Sequence, residues 1–120
     1  MQIFKNVVND RGSKYSVSGL PVNSKEEVQL SISILKKEKK FAKASHNSWA
    51  IILSNEGPLK HDDGEAGAGA LILKMLEQKE LKNHLIIVTR WFGGINLGGD
   101  RFKNIKYCVN HFLKNYNDSN

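Results

Sequence analysis

Residues Leu85–Phe102 read LIIVTRWFGGINLGGDRF. The apolar run Leu85–Val88 has the length of a buried strand and is too short for a core helix. It leads through Thr89, Arg90, Trp91 and Phe92 into four glycines within seven residues. Asp100 then stands where a helix N-cap belongs. Phe102, Ile105, Val109 and Phe112 follow at helical spacing and give one apolar face. A strand, a tight glycine loop and a helix therefore form one unit.

Working outward, Trp49–Leu53 is apolar at every position and suits a strand in mid-sheet. Tyr15–Val22 alternates apolar and small polar residues. It reads as a half-exposed strand with one face in water, and Pro21 confines its end to an edge or an exit. Ser24 with Glu27 forms a capping box ahead of Val28, Ile32 and Leu35, which Leu30 and Ile34 widen, so a helix is expected from about Lys25 to Lys39. Ser54–His61, with its Asn-Glu-Gly-Pro, reads as a loop. Small residues from Ala66 to Ala70 open an apolar helix through Leu71, Ile72, Leu73, Met75 and Leu76, and Lys82-Asn83 turns the chain into the strand quoted first. The expected order is strand, helix, strand, helix, strand, helix, an α/β chain forming a single domain over residues 1–120 with a frayed tail at 117–120. No internal repeat or low-complexity segment is present.

With 40% apolar residues, 120 residues can bury a core without disulfides or metals. The lone Cys108 excludes an intramolecular disulfide and reads as a buried thiol in a reducing compartment. No apolar stretch approaches membrane-spanning length and MQIFKNVVNDRG lacks a signal-peptide core, so a cytoplasmic protein is expected. A net charge of +6 favours acidic partners, ribosomal RNA or an acidic protein surface among them, although the densest run, Lys36–Lys40, is also what a solvated helix end looks like.

Asp62, Asp63 and Glu65 precede a helix and can accept from its unpaired amides. The acids are too few and too irregularly spaced for a Ca²⁺ loop, and no metal or cofactor is expected. The glycine loop, with Gly93, Gly94 and Gly98, is neither G-x-G-x-x-G nor a Walker loop, and Asp100 puts negative charge where a phosphate would sit. Close backbone approach with glycines at positive φ is the better reading. Arg90, His46-Asn47 and the acidic group can all meet at one end of the sheet, with an ion pair from Arg90 to Asp63 or Glu65. Without a Cys or Ser partner for His46, this corner reads as structural rather than catalytic. Trp and Arg side by side are common interface anchors, so the expected partner-binding set is Arg90, Trp91, Phe92, Asp100, Arg101 and Lys103. An enzyme acting on a phosphorylated or nucleotide substrate at the His46, Asp62, Asp63, Glu65 and Arg90 corner is the rival reading. Direct ribosomal RNA binding through the lysines is a third.

The segments Asp10–Tyr15, Ser45-His46-Asn47, Asp62-Asp63-Gly64-Glu65, and Arg90-Trp91-Phe92-Gly93-Gly94-Ile95 with Leu97-Gly98 stand in an order that resembles the IMPACT family. Gly99–Lys103 with Ile105 is similar to its eukaryotic branch, where bacterial relatives carry Gly-Gly-Leu-Val. The resemblance covers nearly the whole chain. It implies a two-layer fold with helices on one face of a mixed sheet and a left-handed β-α-β crossover, related to a domain of a small-subunit ribosomal protein. It also implies a non-enzymatic translation regulator. Such a protein binds the ribosome-associated activator of the starvation-responsive initiation-factor kinase and limits activation of that kinase; members are also reported to bind actin. Two departures stand out. With the resemblance covering nearly all of these 120 residues, the additional N-terminal RWD domain of the eukaryotic regulators is not expected within them. The loop Ser54–His61 is also short, with Ile51 where an arginine often follows the His-Asn strand.

Overall fold

The structure, a computed structural model, describes residues 1–117. Five strands, β1 (Gln2–Asp10), β2 (Ser13–Pro21), β3 (His46–Leu53), β4 (Gly57–His61) and β5 (His84–Trp91), form one sheet in the order β1-β2-β5-β3-β4. The helices are α1 (Lys25–Lys37), α2 (Lys39–Ala42), α3 (Ala68–Gln78) and α4 (Asp100–Asn115).

The strand of the opening stretch is central, as its unbroken apolar run requires, and it extends to Trp91. Alternation along β5 sorts two cores. Ile86 and Val88 join Tyr15, Val17 and Ala50 beneath α3 and α4, where Ile72, Leu76, Ile105, Val109 and Phe112 pack. Leu85 and Ile87 join Trp49, Ile51 and Leu53 beneath α1 and α2, where Val28, Ile32, Leu35 and Phe41 pack. The α/β class therefore holds, but two details of the expected layout are corrected. Helices cover both faces of the sheet rather than one, because a strand apolar on both sides needs cover on both. Every strand pairing is antiparallel, so the sheet is not mixed. β2 and β3 do run parallel to each other, yet β5 lies between them and pairs antiparallel with each.

Other readings shift as well. β2 is an inner strand, with Ser13, Ser16 and Ser18 all buried, so the water-facing side expected of it does not exist; Pro21 ends it at an exposed exit. The first helix stops at Lys37 instead of Lys39, because Glu38 is extended (φ −71, ψ 124) and a separate short turn drops Phe41 into the core. Its start is as read, with the Glu27 amide donating to Ser24 Oγ at 3.2 Å. The segment read as a loop, Ser54–His61, contains β4, and Pro58 is tolerated there because β4 is an edge strand. Asn117 is not frayed, since its backbone N–H and C=O both bond the Gln2 side chain at 2.8 and 2.7 Å; residues 118–120 lie outside the described residues.

Candidate functional site

The sheet register brings His46 opposite Arg90 and Asn47 opposite Thr89, so two of the singled-out motifs meet at the end of β5. The Asp62–Glu65 turn folds over them. Asp63 and Gly64 adopt φ of 50° and 85°, a reversal that glycine permits at Gly64 while a β-carbon there would crowd His46 Nδ1 at 3.2 Å.

Each acid has a separate task. Asp62 accepts from the Gly67 and Gly69 amides at 3.1 and 2.8 Å and so caps α3. Burial opposes its ionisation, but these amides outweigh that and hold the carboxyl below its ordinary range. Asp63 accepts from the Asn47 amide at 2.7 Å, and its carbonyl meets His46 Nδ1 at 2.9 Å. Glu65, only 3% exposed, accepts from Arg90 Nη1 on both oxygens at 3.0 and 3.2 Å. His46 Nε2 lies 3.3 Å and Arg101 Nη1 3.8 Å from the same carboxylate.

Arg90 is 4% exposed and also donates from Nη2 to Ser13 Oγ at 3.3 Å, with its guanidinium 5.7 Å from the ring centroids of both Tyr15 and Phe92. Burial raises the Tyr15 phenol above its ordinary value. Ser13 additionally accepts from the Gly93 amide at 3.2 Å, and Ser45 Oγ accepts from the Phe92 amide at 2.8 Å. Sequence alone does not mark these two serines as site residues, because an isolated serine carries no pattern that distinguishes a loop tie from a solvated hydroxyl.

The glycine loop has the geometry that its composition suggests. A β-carbon on Gly93 would meet the Gly12 carbonyl carbon at 2.0 Å, so this loop lies backbone against backbone on the β1–β2 turn. Gly94 and Gly98 have φ of 96° and 56°. Asp100 does not cap α4: Gly99 occupies that position, and the Asp100 carboxylate instead takes Arg11 Nη2 at 2.5 Å. Arg11 also holds Asp10, which Asn104 bonds at 3.0 Å; Arg11 first and Asn104 second lower the Asp10 carboxyl to about 2.

The expected partner-binding set is divided by strand alternation. Arg90 points to the α3/α4 side, whereas Trp91 points to the α1/α2 side, edge-on to Phe41 with its Nε1 donating to the Lys40 carbonyl at 2.9 Å. Phe92 and Ile95 stand about half exposed at 49% and 52%, Asp100 and Lys103 are exposed, and Arg101 is partly so. A cleft of about 310 Å³ lies at this end of the sheet, lined by His46, Glu65, Arg90, Phe92, Asn96 and Arg101 among others. Among the described residues no three His, Cys, Asp or Glu side chains come together to hold a metal ion, and no helix is long and apolar enough to cross a membrane.

A family model described as the Impact N-terminal domain matches residues 11–113. The chain is 38% identical over 119 residues to Protein IMPACT of Homo sapiens, a match spanning 93% of this chain and 37% of that protein. It is 36% identical over 118 residues to the Protein IMPACT homolog of Caenorhabditis elegans, spanning 92% of this chain and 46% of that protein. The chain thus spans less than half the length of these curated relatives. A crystal structure of a hypothetical protein shares the fold with a TM-score of 0.81 at 22% identity, over 93% of this chain and 57% of that one. A solved two-domain translational regulator, Yih1, matches with a TM-score of 0.54 at 31% identity, over 89% of this chain and 44% of that one.

Proposed function

The chain belongs to the Impact N-terminal domain family, and on that premise we propose that it regulates translation by binding, in the cytoplasm, a ribosome-associated activator of the starvation-responsive initiation-factor kinase, so limiting that kinase. The observation that carries this reading is the family match over residues 11–113, together with a structural relative described as a translational regulator. The surface that suits such a partner is the loop face. Phe92 and Ile95 expose apolar area on the glycine loop, Phe92 shares a cleft with Arg101, and Ser13, Ser45 and the Gly12–Gly93 contact tie the loop backbone down. Binding rather than catalysis fits the corner, because its buried acid Glu65 already has Arg90 on both oxygens and His46 beside it.

The test is recovery of the activator from lysate with ribosomes retained. Phe92→Ala with Ile95→Ala should weaken it at least about tenfold without unfolding the protein, the loss of roughly 1.4 kcal/mol or more expected of an apolar anchor pair. A folded double variant with unchanged recovery would remove this face from the interface. Recovery of actin, or of ribosomal RNA, in an eluate without the activator would point to those partners instead.

A further inference from the structure

We propose that the cleft receives one carboxylate, an Asp or Glu side chain of an acidic and apolar segment on the protein partner, and that the terminal nitrogens of Arg101 grip it. The inference rests on the binding reading above and names the chemistry that this site selects.

Arg101 is held ready for this task. Its Nε donates to the Gly98 carbonyl at 3.0 Å, its guanidinium carbon lies 5.1 Å from the centroid of the Phe102 ring, and its Nη1 stops 3.8 Å from Glu65, beyond hydrogen-bond reach. Among the described residues its two terminal nitrogens donate no hydrogen bond, although the side chain is only 27% exposed. A guanidinium fixed at one nitrogen, with neither remaining one in a hydrogen bond, is a fork for bidentate oxyanion recognition, with little ordering left to do on binding.

The charge count sets the ligand. Among the described residues Glu65 is the one carboxylate lining the cleft, and both its oxygens already take Arg90, so the Arg101 guanidinium 3.8 Å away adds a second positive charge to a single negative one. A single carboxylate balances it. A phosphate dianion would overcompensate beside the buried Glu65, and Asp100 adds negative charge at the next residue. A volume of about 310 Å³ accepts one acidic side chain, and the half-exposed Phe92 that lines the cleft meets an apolar neighbour of that residue. The net charge of +6 steers acidic surfaces toward the protein.

The experiment titrates the ¹⁵N-labelled chain with the capped dipeptide Glu-Phe, its Gln-Phe analogue, and oligouridylate. Glu-Phe should shift Arg101 Nε, Asn96 and Gly98 saturably, with a Kd near or below roughly 1 mM. Gln-Phe should bind at least about tenfold more weakly, and Arg101→Lys, which keeps the charge but loses the fork, should weaken Glu-Phe at least about fivefold. Equal binding of the two dipeptides, an unaffected Arg101→Lys protein, or tighter binding of oligouridylate at the same signals would overturn the proposal. A folded Arg101→Gln variant that loses Glu-Phe yet still recovers the activator would overturn it while leaving the proposed function intact. Glu-Phe binding as expected from a wild type that recovers no activator would do the reverse.

Discussion

Replacing Glu65 with Gln leaves the shape of the corner nearly unchanged and removes its negative charge. The two side chains of the pair are 4% and 5% exposed, so the Arg90 guanidinium cannot turn to water and is stranded against Ser13, Tyr15 and Phe92. Breaking a buried pair from one side costs about 3–5 kcal/mol, and the low end applies here because Ser13 Oγ and the new amide oxygen can still accept from Arg90. An unfolding entropy of about 2.1 cal/mol/K per residue gives roughly 0.25 kcal/mol/K for a chain of this length, so about 3 kcal/mol lowers Tm by about 12 °C. The reverse change should cost less: Arg90→Met leaves Glu65 with His46 at 3.3 Å and Arg101 at 3.8 Å. The double variant Glu65→Gln with Arg90→Met should then be more stable than the sum of the two losses by about 1 kcal/mol or more. Urea denaturation beside calorimetric melts reads all four proteins. A Glu65→Gln protein melting within about 3 °C of wild type, or strictly additive losses, would refute the idea that this ion pair joins the loops.

Gly93→Ala should cost about 3 kcal/mol or more in urea denaturation, since its β-carbon collides with Gly12 backbone, whereas Gly94→Ala, open to solvent but at φ 96°, should cost only about 1–2 kcal/mol; equal losses would remove the close-approach account. Asp100→Ala and Asp100→Ser should be equally destabilised, by about 1 kcal/mol or less, because Asp100 pairs with Arg11 instead of capping α4; recovery in the serine variant, read from thermal melts, would restore the cap. Asp10, with its carboxyl lowered from 3.8 to about 2, lends stability that is complete above pH 3.8 and lost as pH falls through about 2. The Tm gap between wild type and Asp10→Asn should therefore close over that window, and a constant gap would count against the Arg11 contact.

Much of this protein could be read from its residues. The apolar runs placed β5 and β3 inside a sheet, Ser24 and Glu27 placed the start of α1, and the glycines foretold a backbone contact, because periodicity, capping and missing side chains are local properties. The gathering of His46, Asp63, Glu65 and Arg90 was also foreseeable, since each lies at an element's end or in the turn that joins two. Other features depended on the assembled sheet. β1 and β4 are hidden in the sequence because Asn6 at φ 54° interrupts one and Gly57-Pro58 opens the other, and such residues suit a strand only at a sheet edge. Ser16 and Ser18 look solvated until β1 and β5 close around β2. Asp100 looks like a cap until the β1–β2 turn delivers Arg11 to it from 89 residues away. Arg90 and Trp91 are neighbours in the chain, yet the two-residue repeat of a strand sends one to the α3/α4 face and the other to Phe41 beneath α2. Sequence by itself determined which elements form and which charges gather at the end of β5. Only tertiary packing decided which of those cations hydrogen-bonds Glu65 and which stops beyond that reach, because pairing depends on the groups that distant segments bring within a few ångströms.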